Sequence, residues 1–194
     1  TGAWTVQNGT GTFANAASPT TSVSGLSIGV NTFRWTISNG PCVPPTSVDD
    51  VIVTLFNPAS PNANAGPNQQ VCSAATTLAG NTPITPATGV WSVVSGTGTF
   101  TVANSPTTAV SGLTIGNNVF QWTVNNGPCA NGVTTSQVTI TRFDPNTPLS
   151  NAGPDIALCS VGATGVASAT MAASAATAPA VGLWTIISGP AGAV

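Results

Sequence analysis

The sequence predicts an all-β chain, built from small two-layered sandwiches of short strands strung in tandem. Three observations predict it. Blocks of sequence return at a fixed offset of 87 positions, apolar and polar residues alternate along short segments, and Gly, Pro and Asn interrupt the chain every several residues.

The offset is the strongest of the three. Trp4 returns as Trp91, Trp35 as Trp122, Cys42 as Cys129 and Cys72 as Cys159. Longer blocks follow the same spacing. Gly9-Thr10-Gly11-Thr12-Phe13 returns as Gly96-Thr97-Gly98-Thr99-Phe100, and Asn39-Gly40-Pro41-Cys42 as Asn126-Gly127-Pro128-Cys129. The third copy departs from the pattern. Cys72 to Trp91 spans 19 positions but Cys159 to Trp184 spans 25, so six residues are inserted in its Ala-rich part. A surface loop accommodates such an insertion at little cost. Connectors rich in Pro and Asn, at 57–61 and 144–148, set the boundaries: residues 1–61 hold the latter part of one repeat, 62–148 a complete one, and 149–194 the beginning of a third. Proline presets extended backbone there and makes short, stiff hinges. The chain thus reads as a window onto a longer array.

Within the complete repeat the patterning places seven strands, near 69–72, 76–79, 90–94, 99–102, 107–111, 118–125 and 134–142. In the sixth, Phe120, Trp122 and Val124 share one face while Val119, Gln121 and Thr123 share the other. Phe33, Trp35 and Ile37 repeat this in the first copy. Val51, Val53 and Leu55 alternate likewise, matched by Val138 and Ile140, and Trp91 and Val93 give the third strand an inner face. Seven short strands in 87 residues suit an immunoglobulin-like sandwich with an inward tryptophan on its third strand. Trp4, Trp35, Trp91, Trp122 and Trp184 are accordingly read as core residues.

Composition limits the chemistry. Of 194 residues only six carry formal charge, Arg34, Arg142, Asp49, Asp50, Asp144 and Asp155, with no Lys, His or Tyr. A net charge of −2 cannot displace counterions from a phosphate backbone, which excludes nucleic acid as a partner. General acid–base work needs a titrating group beside its substrate, and four scattered aspartates do not supply one. No catalytic, metal or cofactor site is expected. The pair Asp49-Asp50 becomes Ser136-Gln137 in the next copy and is read as solvated strand-edge charge. Asp155 and its counterpart Asn68 are read as turn caps. The uncharged stretch 156–194 is Ala, Ser, Thr and Gly broken by Pro179 and Gly182, which argues against a membrane span and for the first strands of another repeat.

Four cysteines without a CxxC pair fit an oxidising compartment. If the first and sixth strands run the same way, Cys72 and Cys129 end at one edge of a single sandwich and form a bridge. Cys42 and Cys159 then pair outside the window. A loop of that length is worth about 4 kcal/mol on the chain-entropy model.

Three segments carry a family resemblance: Asn64-Ala65-Gly66-Pro67-Asn68-Gln69-Gln70-Val71-Cys72, the run from Gly89 to Gly98, and Trp122 with Asn126-Gly127-Pro128-Cys129. They resemble the PKD-like, immunoglobulin-like repeats of giant gliding-bacterium adhesins of the Bacteroidota. That resemblance implies type IX secretion, display as cell-surface filaments, and a role in gliding motility and surface attachment. The leading expectation is a non-enzymatic extracellular stalk whose partners are the neighbouring repeats of its own chain, its reach scaling with copy number. One alternative is a module binding a polysaccharide or external surface through its loops, with Pro44-Pro45-Thr46 against Asn131-Gly132-Val133 as the variable turn. Another is a subunit of a self-assembling fibre; the duplicated third strand speaks against it.

Overall fold

The computed structural model describes residues 1–146, 149–159 and 167–188. The twelve strands among these described residues all lie before position 143. The first copy supplies β1 (Gly2–Asn8), β2 (Thr12–Phe13), β3 (Val23–Ser24), β4 (Gly29–Ser38) and β5 (Thr46–Leu55). The second supplies β6 (Gln69–Val71), β7 (Ala75–Thr77), β8 (Thr88–Ser95), β9 (Thr99–Phe100), β10 (Ala109–Ser111), β11 (Gly116–Asn125) and β12 (Val133–Arg142).

Each of the seven strands expected in the second copy is present, and together they make two layers. One sheet has the order β6-β12-β11-β8 and the other β7-β10-β9. This is an immunoglobulin-like β-sandwich. Its core lies between the layers, where Trp122, Phe120, Val124, Val138, Ile140, Val110, Leu78 and Leu113 are all withdrawn from water. Period-two alternation put those side chains on one face, and burial of that face fixes the register. Trp91 and Trp122 are cross-strand partners, with ring centroids 5.0 Å apart. Each indole N–H finds a backbone carbonyl: Trp91 donates to Ser105 at 3.1 Å and Trp122 to Asn81 at 3.2 Å. Val93 pairs with Phe120 on the expected inner face but stays exposed. It lies on β8, the edge strand, directly before the register shift that separates it from Ser95.

A buried polar residue sits among these hydrophobic ones. Asn118 has no exposed surface, yet its side chain is saturated. Its Oδ1 accepts from the amides of Thr97 at 3.0 Å and Thr114 at 3.2 Å and from the Thr114 hydroxyl at 2.9 Å. Its Nδ2 donates to the Thr114 carbonyl at 2.8 Å and the Gly116 carbonyl at 3.2 Å. Asn31 makes the same set of bonds with Thr10, Ser27 and Gly29. The amide is a clamp that ties two loops to the start of a long strand.

The first copy repeats the ladders but not the closure. Its sheet is β1-β4-β5, with β2 and β3 as a separate pair, and it has no counterpart of β6 and β7. Trp4, Phe13, Val23, Phe33, Val51 and Val53 therefore line an open apolar groove.

The third copy corrects an expectation. Among the described residues of 149–188 there is no strand. The sequence after 148 contains no counterparts of β10, β11 and β12, the strands that β6, β7 and β8 pair with in the second copy. What does form is the pairing of its entry segment with the stretch around Ser174. Ser174 N donates to Asn151 O at 2.8 Å, as Asn81 N does to Asn64 O at 2.9 Å. Gly153 and Gly66 both hold positive φ (87° and 79°), and a Cβ at either would lie 2.6 Å from a carbonyl oxygen, of Ala172 or Ala79. Glycine is required there on both counts. Asn64 and Asn151 differ by 87 positions but Asn81 and Ser174 by 93, so the six-residue insertion falls between these two paired segments. Trp184, expected in a core, is 53% exposed, and no strand among the described residues packs over it.

Candidate functional site

The charged residues do not converge. Arg34 on β4 donates through Nε and Nη2 to both carboxylate oxygens of Asp50 on β5, each at 2.8 Å. These two residues are direct cross-strand partners. The guanidinium hydrogen bond holds the Asp50 carboxyl below its usual range, and Asp50 in turn raises the Arg34 pKa. In the second copy the same register position is neutral, with Gln137 donating to Gln121 at 3.1 Å. The pair is exposed and sits on the face of a sheet. Asn68, read from the sequence as a turn cap, instead accepts from the amide of Thr139 at 2.8 Å and fastens the start of the repeat to β12. Among the described residues no group of three His, Cys, Asp or Glu is placed to hold a metal ion.

Polar chemistry converges instead at the junction between the first and second copies. Residues 56–62 leave β5 and pass under the turn joining β11 to β12. Asn126 Nδ2 donates to Asn57 O at 3.0 Å, and Asn131 Nδ2 donates to Ser60 O at 2.8 Å. Asn126 Nδ2 also reaches Asn131 Oδ1 at 3.1 Å, coupling the two amides. Ala63 N donates to Thr134 Oγ1 at 2.8 Å, and Ile84 N to Ser60 Oγ at 3.2 Å. The Phe56 ring faces Gly127, where a Cβ would lie 2.6 to 2.8 Å from three ring carbons. Gly127 has φ +60°, so this position needs glycine for its conformation as well as for the ring. The connector is fixed to the next sandwich by side-chain amides of the β11–β12 turn, which donate to its backbone carbonyls.

Two sequence readings change here. The variable turn Asn131-Gly132-Val133, singled out as a binding loop, is seated on the connector through Asn131. The expected Cys72–Cys129 bridge is not formed; all four cysteines are free thiols, with Cys129 half-buried and the others exposed. The reason is strand direction. β6 pairs parallel to β12, and β12 pairs antiparallel to β11, so β6 and β11 run in opposite directions. Val71 lies opposite Arg142, which faces Gly116 at the start of β11, whereas Cys129 lies beyond Asn125 at its end. A ten-residue strand separates the two ends by about 30 Å, while bridged cysteines need Cα atoms within about 7 Å.

Sequence reasoning missed the Asn118 clamp and the Asn126 contact. Both left a signal. Asn118 shares the parity of Phe120, Trp122 and Val124, which marks a polar residue on an apolar face. Asn126 belongs to a block that returns unchanged at offset 87.

No protein-family model matches the chain, and no curated protein matches it. Among solved structures the chain is similar to the PKD domain from KIAA 1837 protein, at 27% identity, covering 48% of this chain and 96% of that one with a TM-score of 0.39. It is also similar to mouse cadherin-23 EC22-24, at 15% identity over 79% of this chain and 57% of that one, TM-score 0.28. Zebrafish RET cadherin-like domains 1 to 4 match at 9% identity over 76% of this chain and 42% of that one, TM-score 0.25. The fold stands on the strand pairing described above.

Proposed function

We propose that the chain is a segment of an extracellular stalk, in which sandwiches joined through ordered connectors hold an adhesive element away from a cell surface. The observation that carries this reading is the junction. Asn126 and Asn131 bond the backbone of the connector directly, so a pull along the chain is passed from β5 into the β11–β12 hairpin through packed structure and not through slack linker. A nearly uncharged polar surface keeps such an array insensitive to salt. Resemblance to gliding-bacterium adhesin repeats supports a filament used in gliding and surface attachment. A domain division at 1–61, 62–148 and 149–194 is part of the same reading.

Single-molecule stretching of the full chain tests it. The complete sandwich should unfold in one event releasing about 250 Å of contour length, given about 3.4 Å per extended residue. Gradual lengthening without a force peak would remove the mechanical reading. Specific binding on a glycan array, lost when the loops of the second sandwich are changed, would replace it with a recognition role.

A further inference from the structure

The strand directions that separate Cys72 from Cys129 within one sandwich bring their equivalents together across a junction. Phe143 N donates to Val71 O at 2.8 Å, extending the β6–β12 pairing by one residue and placing Cys72 beside Phe143 at the exit of the sandwich. Phe143 is the offset-87 counterpart of Phe56, and Asp144-Pro145 that of Asn57-Pro58. At the junction between the first and second copies, Phe56 lies against Gly127, two residues before Cys129. Taken as equivalent, Phe143 and Phe56 mark the two sides of one junction: the β6-end cysteine of a repeat lies beside this phenylalanine, and the hairpin-turn cysteine of the next repeat lies two residues from the glycine it faces. The burial of the turn agrees. Cys129 and Asn126, which have a connector beneath them, are half-buried and buried, whereas their counterparts Cys42 and Asn39 are exposed.

We infer that the array is stapled between repeats and not within them, each bridge joining the β6-end cysteine of one repeat to the hairpin-turn cysteine of the next. This inference rests on the tandem-array reading. Under it Cys72 and Cys159 pair forward along the chain and Cys42 and Cys129 pair backward, so no two of the four thiols are partners of each other. Formation is ordinary thiol–disulfide exchange with a low-molecular-weight disulfide such as oxidised glutathione. The first thiolate attacks it, releasing one glutathione thiol and leaving a mixed disulfide. The second cysteine's thiolate attacks that mixed disulfide, forming the protein bridge and releasing the second glutathione thiol. The two thiol protons end on the two glutathiones. The consequence is mechanical: a sandwich that opened under load would stay tied to its neighbours at both ends.

The test is the full chain lengthened by one copy of residues 62–148 inserted after position 148, refolded with reduced and oxidised glutathione. The expected product is lighter by two hydrogens than the reduced chain, with a bridge between Cys72 of the first copy and Cys129 of the second. Cys72→Ser in the first copy or Cys129→Ser in the second should abolish that bridge. Cys129→Ser in the first copy or Cys72→Ser in the second should leave it intact, and the unlengthened chain should keep four alkylatable thiols. Stretching the same lengthened chain separates the two levels of the argument. Two unfolding events with all six thiols free, or with a bridge inside one copy, overturn the staple and leave the array standing. Fewer than two events from the reduced lengthened chain overturn the array and the staple together.

Discussion

Residues 1–55 and 62–142 carry corresponding strand sequences yet protect the corresponding side chains to different degrees. Phe33 and Phe120 are both buried, as are Asn31 and Asn118. At other positions, including the residue directly opposite that phenylalanine, the copies diverge. Ile37 is 49% exposed where Val124 is 1%, and Val51 is 44% exposed where Val138 is 1%. The difference is the stretch containing β6, β7 and Leu78, which lies across the second copy's sheets and has no counterpart over the first. Within residues 1–55 the ladder keeps its register and its amide clamp while Trp4 and Trp35 stay half-buried. Closure comes from a short stretch with few ladder bonds and many apolar contacts.

Replacing a core tryptophan should widen this contrast most. Trp122→Ala should cost about 3–5 kcal/mol, read as lost hydrogen-exchange protection along β11. Trp35→Ala should cost clearly less along β4, because Trp35 is only half-buried to begin with. Equal losses would mean that the groove of the first copy is closed in solution. Asn118→Ala and Asn31→Ala should instead behave alike, each removing about 2 kcal/mol by orphaning buried amides. Both asparagines are fully buried, so unequal effects would show that the clamp depends on closure after all.

A smaller effect isolates the junction. Gly40 and Gly127 have nearly the same φ, +62° and +60°, but a Cβ at 40 meets nothing within 4 Å while one at 127 meets Phe56. Gly40→Ala should cost about 1 kcal/mol of backbone strain, and Gly127→Ala about 1–2 kcal/mol more from overpacking, measured by urea unfolding. The smallest effect is acid sensitivity. The Asp50 carboxyl titrates lower when folded than unfolded, so its pairing with Arg34 stabilises above the unfolded value and is lost as pH falls through the folded one. Exchange along β4 and β5 should rise slightly below about pH 4. The neutral Gln121–Gln137 position should show no such step in β11 and β12. Asp50→Asn should remove the step from the first copy.

Each of the seven strands of the second copy overlaps a segment that period-two alternation marks, because burial of one face is written into every second residue. The inward tryptophans at 91 and 122 follow from the same pattern. The direction of β6 does not. Three residues can pair either way, and the choice of parallel pairing with β12 is made by layers and connectors that no local pattern encodes. Cysteine pairing depends on that choice. The third copy teaches the same lesson from the other side: its entry segment pairs with the stretch around Ser174, while its strands need partners far along the chain.

The repeat length, the strand positions and the apolar face are fixed by composition and order along the chain, since each depends on neighbours a few residues apart or on plain recurrence. Which strands run alike, which tryptophans become dry, and which cysteines can ever meet are decided only when distant segments pack. Those properties belong to pairs of surfaces, and a surface exists only after folding.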